Sequence, residues 1–506
     1  MLATAAGVAR ASGPAIQWGA CTEKFESQLP VDCGRLTVPL DYTEPASSPK
    51  LDIELLRVPA TVQPAKGSIF LNFGGPGLPA RHSMASLSGV LQAMSGGQFN
   101  LVTFDPRGTG NTIPFTCYDP IYWRQTFWQE PISPGDADDI LLGKLWARGT
   151  TMADFCAKTQ NDTGRLINTA FVARDIVQLA DALGEDGLVR YWGFSYGTTL
   201  GATLVAMFPH KVDKVVLDGV QNPHEYYHAY AYGSLSLHSA WKHRNMKADI
   251  KADPTLKSDF EEWSQSDEVF SGIFKACAAN PHVCALARPG KSAAELEKSA
   301  WQLLDRLKRR PMAIGTAVVD DNLVRVLIAQ SLYTTTSWKM LTDALDMLIT
   351  GRIDEDYLRL AFGSSNSIRT VDDLDTAINQ TVAVPFASVG IHCVDRAARA
   401  KTFEKTLPAL RRLFQTSRAM GGAGSGPTVV CAQWKIEPKE RYAGDFRART
   451  RKPILLVGNS YDAHTPIRSA RNVSSGFEGS VVLEVNGYGV RIYQLCMGAA
   501  ALGHTV

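Results

Sequence analysis

The sequence lacks a long apolar run and an excess of charge of either sign. No stretch approaches the ~20 apolar residues that a membrane-spanning helix needs, so we predict no membrane span. The 52 basic and 50 acidic residues give a net charge of +2, and no run of like charges stands out. The charge pattern typical of nucleic-acid or membrane-surface binding is therefore absent, and the partners have to be inferred from a site.

Zinc-binding patterns are also missing. The nine cysteines form no CxxC pairs and have no histidines at the spacing of zinc ligands. We predict disulfides instead, with Cys21 joined to Cys33 and Cys277 joined to Cys284 across short loops. An odd number leaves one cysteine unpaired, and we expect neither a metal nor an organic cofactor.

Export is indicated by weaker signals. Three sequons, at Asn161, Asn379 and Asn472, are compatible with a secreted protein. The first residues are weakly apolar, but no basic segment precedes them, which fits either a weak or truncated signal peptide or an unstructured start. We expect an extracellular location.

The order of strand and helix patterns predicts an α/β fold. Short β-branched runs alternate with helical patterns, which is typical of a mostly parallel sheet with helices on both faces. An amphipathic pattern predicts a helix over residues 168–183. The predicted strands cover residues 35–38, 51–58, 67–73, 101–104, 188–192 and 214–217, and then 453–457 and 480–485.

The interval between the two groups of strands predicts an insertion. Its roughly 200 residues have helical periodicity and no convincing series of strands. We therefore expect a first core part over residues 1–222, a mainly helical cap over 223–445, and a C-terminal core part over 446–506.

The segment Gly193–Gly197 matches the G-x-S-x-G nucleophile elbow. In this motif a sharp turn between a strand and a helix exposes a serine hydroxyl, and glycines are needed because side chains do not fit. The motif alone is weak, since it arises by chance, but a predicted strand precedes Ser195 and a small-residue helix follows it. The sequence thus indicates an α/β-hydrolase with Ser195 as nucleophile rather than a serine in an ordinary turn.

Two further segments predict the surroundings of Ser195. The glycine-rich turn 74–77 follows a predicted strand, so the amides of Gly75 and Tyr196 are our candidates for the oxyanion hole. The segment Asp105–Gly110 closes the next strand, and we expect its acid and base to form a buried ion pair rather than to act in catalysis.

The triad acid follows the serine in the chain order of this fold. Asp462 comes after the resumed strand 453–457 and before a helix that starts near Pro466. Asp218, at the end of strand 214–217, is the alternative acid. We favour Asp462.

Together these segments resemble the tripeptidyl aminopeptidase-like branch of the prolyl aminopeptidase family of α/β-hydrolase serine peptidases. The resemblance implies a secreted exopeptidase that releases short peptides or residues from free N-termini, under a helical cap that admits only peptide ends. It covers nearly the whole chain, through residues 33–42, 74–77, 105–110, 193–223, 391–393 and 453–489.

The resemblance fails at the base. In the family the histidine directly follows the motif Asn-Gly-Tyr-Gly, whereas here Asn486–Gly489 is followed by Val490. His464 is too close to Asp462 in sequence to bridge it to Ser195, which leaves His504 near the end of the chain.

We hypothesise that residues 490–503 are an in-frame insertion, such as a retained intron. Removing these fourteen residues joins Gly489 to His504 and also removes Cys496, which leaves an even set of cysteines. If the sequence is expressed as written, His504 has to fold back from the terminus or the protein is nearly inactive.

An aminopeptidase also needs a carboxylate for the substrate ammonium group. Glu225 and Asp395 are the candidates, and the alternative for each is an ordinary salt-bridged acid. The competing functions are a carboxylesterase or lipase with the same triad, and an inactive mis-spliced form that only binds peptides.

Overall fold

The computed structural model describes residues 16–118, 140–228, 258–315, 317–363 and 386–490. In chain order the strands are β1 (Asp32–Pro39), β2 (Lys50–Val58), β3 (Ser68–Asn72), β4 (Asn100–Phe104), β5 (Val189–Ser195), β6 (Val212–Val220), β7 (Met312–Ile314), β8 (Ala317–Val319), β9 (Leu455–Tyr461) and β10 (Val481–Tyr488).

Eight of these strands form one sheet in the order β1-β2-β4-β3-β5-β6-β9-β10. The pairs β1/β2 and β2/β4 are antiparallel, and the remaining pairs are parallel. Each strand predicted from the sequence is present, and the predicted α/β-hydrolase fold is confirmed. The separate hairpin β7/β8 was not predicted, since strands of three residues carry too little alternation to detect.

Helices flank the sheet and fill the interval between β6 and β9. They are α1 (Ala80–Ser86), α2 (Ser88–Met94), α3 (Leu141–Gly164), α4 (Thr169–Ala182), α5 (Tyr196–Met207), α6 (Pro223–His228), α7 (Ser266–Ala279), α8 (Ala293–Arg309), α9 (Asp321–Ser331), α10 (Trp338–Thr350), α11 (Glu355–Gly363), α12 (described over 386–395), α13 (Leu407–Thr416), α14 (Ser425–Ala432) and α15 (Ile467–Ser474). The helix predicted over 168–183 is α4. No helix within the described ranges is both long and apolar enough to cross a bilayer.

The apolar residues form two main cores. One core lies around the sheet and includes α4, α5 and residues from 386 to 436. The other is built by α7 to α11 and receives few residues from elsewhere. Residues 386–436 of the predicted cap thus pack with the sheet, while residues 266–363 of the cap have a core of their own. The domain boundaries at 222/223 and 445/446 stay predictions.

Four disulfides link the eight cysteines within the described ranges. Both predicted pairs, Cys21 with Cys33 and Cys277 with Cys284, are confirmed. The other two disulfides, which were not predicted, join Cys117 to Cys156 and Cys393 to Cys431. Cys496 lies outside the described residues.

Candidate active site

Ser195 lies in a strained turn between β5 and α5. Its φ of 53° and ψ of −125° are rare for a residue with a side chain. A Cβ atom at Gly193 would lie 2.2 Å from the Gly197 carbonyl oxygen, and one at Gly197 would lie 2.5 Å from the Asn72 carbonyl oxygen. Both glycines are therefore required by the close approach of β3, β5 and α5, and the turn has the shape of a nucleophile elbow.

The glycine turn 74–77 lies directly against this serine. A Cβ atom at Gly74 would be 2.8 Å from the Ser195 Cβ and 3.1 Å from the Tyr196 amide nitrogen. Tyr196 is also the first residue of α5, where amides have no acceptor within the helix and favour negative charge. The structure thus brings the two predicted oxyanion segments together, while the donor roles of Gly75 and Tyr196 stay predictions.

Helix α12 supports the other side of the glycine turn. A Cβ atom at Gly77 would lie 2.6 Å from the Ser388 amide nitrogen. The turn is therefore enclosed between the Ser195 turn and α12, which limits the positions that its amides can take.

Asp105 and Arg107 both form buried ion pairs, but they do not pair with each other. The Arg107 Nε donates to Asp175 Oδ2 at 2.7 Å, and the Arg81 Nε donates to Asp105 Oδ2 at 2.9 Å. These side chains are almost fully buried, so the pairs fix the loop after β4. They support the predicted structural role, but the predicted ion pair between Asp105 and Arg107 is wrong.

Asp462 is fully buried in the turn after β9. Its Oδ1 accepts hydrogen bonds from the amides of His464 (2.9 Å) and Thr465 (2.8 Å), and its Oδ2 accepts one from the Thr465 hydroxyl (2.8 Å). Burial raises the pKa of Asp462 to about 6. The carboxylate is therefore held in one orientation, as an acid that positions a histidine needs to be.

The nucleophile and acid turns meet around Gly219, at the end of β6. A Cβ atom at Gly219 would lie 4.0 Å from the Ser195 nitrogen, 3.1 Å from the Thr465 hydroxyl and 3.9 Å from a methyl carbon of Val490. Three segments that are far apart in sequence thus surround one point. Asp218, the alternative acid, precedes Gly219 and pairs with Val457 in the sheet; its role stays untested.

Residue 490 stands where the resemblance places the base. Val490 is buried, and its amide donates to the Tyr333 carbonyl at 2.9 Å, while the Gly489 amide donates to the Tyr461 carbonyl at 2.9 Å. The position is thus fixed beside the Ser195 turn but carries an apolar side chain. Among the hydrogen bonds of the described residues, none joins the Ser195 hydroxyl to a histidine. His504 lies outside the described residues, so its role stays a prediction.

His464 is enclosed by aromatic rings. It stacks on Tyr333 with ring centroids 3.8 Å apart, and burial lowers its pKa to about 4. The imidazole is therefore neutral at pH 7. Its backbone amide is bound by Asp462, which agrees with a place in the acid turn rather than between Asp462 and Ser195.

A small acidic cavity lies against the acid turn, which contributes His464 to its lining. Two of its lining residues, Gln221 and Asn222, come directly after β6. The Thr198 hydroxyl connects this segment to the nucleophile, because it accepts a hydrogen bond from the Gln221 backbone amide (2.9 Å) and donates one to the Ser195 carbonyl (2.6 Å). The cavity is lined by Gln221, Asn222, Glu225, Asp259, Glu262, His464 and Ser469.

Three carboxyl groups share this cavity. Asp259 is paired with Arg396. Burial raises the pKa of Glu225 to about 9 and that of Glu262 well above its usual range. Sequence reasoning found Glu225 but missed Asp259 and Glu262, because acids in a charge-rich helical region carry no spacing signal.

Asp395, the second candidate for the substrate amine, lies elsewhere. It is fully buried beneath α4, where it accepts from the Thr169 amide (3.0 Å) and the Tyr226 hydroxyl (3.1 Å). Burial raises its pKa to about 7. It does not line the acidic cavity, and its amine-binding role stays a prediction.

Two family models match the chain. The α/β hydrolase fold matches residues 69–270, and the TAP-like protein model matches residues 418–502. The first contains β3 to α5 with Ser195, and the second contains Asp462 and the end of β10.

Similar proteins align over most of the chain. The tripeptidyl aminopeptidase of Streptomyces coelicolor is 26% identical, over 93% of this chain and 79% of that protein. The serine protease Hip1 of Mycobacterium tuberculosis is 25% identical, over 93% and 84%. The carboxylesterase B of Mycobacterium tuberculosis is 25% identical, over 90% and 80%. The chain therefore has the α/β-hydrolase fold and is similar to the tripeptidyl aminopeptidase-like group, as its motifs predicted.

Proposed function

We propose that this chain is a serine hydrolase that releases short peptides or single residues from free N-termini. The observation that carries the proposal is the meeting of the Ser195, Thr465 and Val490 segments around Gly219, with an acidic cavity beside them. Relatives named tripeptidyl aminopeptidase and serine protease support peptides as substrates.

In the proposed reaction, Ser195 attacks the carbonyl carbon of the scissile bond. A histidine takes the hydroxyl proton, Asp462 orients that histidine, and the amides of Gly75 and Tyr196 bind the oxyanion. The histidine then passes the proton to the leaving amine, and water releases the acyl group. All the residues in these proposed roles except the histidine lie within the described ranges.

We place that histidine at position 490, in a form of the protein without residues 490–503. There the imidazole of His504 follows Gly489 and takes the place of the Val490 side chain beside Ser195. The eight described cysteines already pair with each other, which supports Cys496 as part of an inserted segment. The chain as written is then expected to be nearly inactive.

The acidic cavity is the proposed site for the substrate ammonium group. Arg396 forms an ion pair with Asp259 and also acts on Glu262, but the described cavity lining, which includes Glu225, holds no lysine or arginine. An ammonium group between Glu225 and Glu262 would stabilise their ionised forms and lower their raised pKa values. A blocked N-terminus would lack this interaction, so the cavity favours an exopeptidase.

The test compares a tripeptide amide with free and acetylated N-terminus, using the form without residues 490–503. We expect Glu225→Gln to reduce the preference for the free amine by about 10- to 100-fold, as loss of a charged hydrogen bond predicts. Asp395→Asn tests the second candidate in the same way, and Asp445→Asn, which changes an exposed acid, is the control. An unchanged preference in Glu225→Gln would disprove amine recognition by this cavity.

The relative named carboxylesterase B keeps an ester substrate as the second candidate. An esterase would use the same serine and acid but would not need carboxylates for an ammonium group. A short-chain ester hydrolysed far faster than the tripeptide amide, with equal rates in the Glu225→Gln variant, would favour that function.

We also propose that the protein is extracellular. Four disulfides support this location, because such bonds persist in oxidising compartments.

A further inference from the structure

We propose that Asn161 carries an N-linked glycan in the folded, exported protein, whereas the sequon at Asn472 stays unmodified. Both sequons have the sequence that the modification needs, Asn161-Asp162-Thr163 and Asn472-Val473-Ser474. The third sequon, at Asn379, lies outside the described residues. The two described sequons differ in what surrounds the side-chain nitrogen that would receive the sugar.

Asn161 faces open solvent in the last turn of α3. Its neighbours Lys158, Thr159 and Asp162 are exposed as well. The helix is interrupted just before it, where Gln160 has a φ of −130° and a ψ of 19°. The side-chain amide of Asn161 makes a long, exposed hydrogen bond of 3.4 Å to Asp162 Oδ1. A sugar on this nitrogen would therefore extend into water and displace no packed group.

Asn472 is half-buried on α15, and its side-chain nitrogen is already used. It donates to Glu261 Oε2, while Glu261 Oε1 accepts from the side-chain amide of Asn222 at 3.2 Å. The Arg468 Nε lies 3.7 Å from the same Glu261 oxygen as Asn472. Glu261 is itself nearly buried. A sugar on Asn472 would have to occupy this polar cluster, next to the acidic cavity, and would disrupt its hydrogen bonds.

The modification requires a sugar donor that the protein meets during export. The donor class is an oligosaccharide joined through pyrophosphate to a lipid. The Asn161 nitrogen bonds to the anomeric carbon of the sugar and releases its proton to water. The bond from that carbon to the pyrophosphate oxygen breaks, and the lipid pyrophosphate leaves with the electron pair. The four disulfides support folding in an oxidising compartment, and in eukaryotic cells this donor class is used in such a compartment.

The test expresses the full chain behind a secretion leader in a eukaryotic host. A peptide N-glycosidase in heavy-oxygen water converts each glycosylated asparagine to a labelled aspartate, and peptide mass spectrometry then gives the occupancy of each site. We expect most molecules to be labelled at Asn161 and few at Asn472. Because the sites are resolved separately, Asn379 does not affect the result.

Paired variants serve as controls. Thr163→Ala removes the first sequon and leaves Asn161 in place, and Ser474→Ala does the same for the second. We expect Thr163→Ala to abolish the isotope label at Asn161 and Ser474→Ala to leave it. An unmodified Asn161, or equal occupancy of Asn472 in protein that retains its four disulfides, would overturn the proposal. The outcome is independent of catalysis, so it leaves the proposed function untouched.

Discussion

The nucleophile side and the base side of the site are built in different ways. On the nucleophile side, the Ser195 turn is enforced by glycines a few residues away and by the neighbouring strand β3, so the local sequence determines the geometry. On the base side, the proposed proton acceptor depends on one position, two residues beyond β10, where this chain has Val490. A turn supported by several contacts tolerates changes elsewhere in the chain, whereas a function that depends on one side chain is lost with that side chain.

The largest expected effect comes from bringing a histidine to the position directly after Gly489. Removing residues 490–503 should raise kcat/KM on a tripeptide amide by at least ~10³-fold, because loss of the base costs a serine triad on the order of 10⁶ in kcat. The comparison uses purified proteins and the rate of amide release. His504→Ala in the same deletion form is the control and should remain inactive. Equal activity of the full chain and the deletion form would contradict this assignment of the base.

The turn that holds Asp462 meets both sides of the site, so loss of the Asp462 carboxylate should have the next largest effect on kcat. In the deletion form, Asp462→Asn should lower kcat by about 10⁴-fold, since an amide favours the wrong tautomer of the histidine. Asp445→Asn changes an exposed acid and should leave kcat unchanged. Single-turnover kinetics measures the chemical step directly. If Asp462→Asn retains full activity and Asp218→Asn does not, Asp218 is the acid.

A smaller effect should follow from disturbing the nucleophile side. Gly74→Ala adds a methyl group 2.8 Å from the Ser195 Cβ and should lower kcat by about 10²-fold, comparable to loss of an oxyanion donor. Gly290→Ala is the matched control, because Gly290 also has a positive φ but no atom within 4 Å of the added methyl. Both variants place a side chain at a positive φ, so a larger loss of kcat in Gly74→Ala reports the contacts of the added methyl group with residues 194–196. Equal kcat values would show that the turn does not act on the serine.

The smallest effect concerns the pH dependence of stability. Burial raises the pKa of Asp462 from 3.8 to about 6, so between about pH 4 and pH 6 the folded protein retains a proton that the unfolded chain releases. Stability therefore falls as pH rises through this window, by about 3 kcal/mol from this group. Urea unfolding at several pH values should show a flatter dependence in Asp462→Asn. The same slope in both proteins would show that Asp462 has an ordinary pKa when folded.

Much of the fold could be predicted because its signals are local. The strands of the sheet, the helix α4 and the Gly193–Gly197 turn each have a periodicity or a motif of their own. The partners of Asp105 and Arg107 could not be predicted, since Arg81 and Asp175 are brought close only by folding. The same reason hid Asp259 and Glu262, which reach the cavity from the region that follows α6. The departure from the family motif after Gly489 could be detected only by comparing the sequence with the family pattern.

The hydrogen bond from the Val490 amide to the Tyr333 carbonyl has a mechanical consequence. Tyr333 belongs to the region between α9 and α10, whereas Ser195 belongs to the sheet. Whatever side chain stands at position 490 is therefore held by two elements, β10 and the helical region that contains Tyr333. A shift of that region would carry residue 490 with it, so the distance between this residue and Ser195 depends on how the region between α9 and α10 packs.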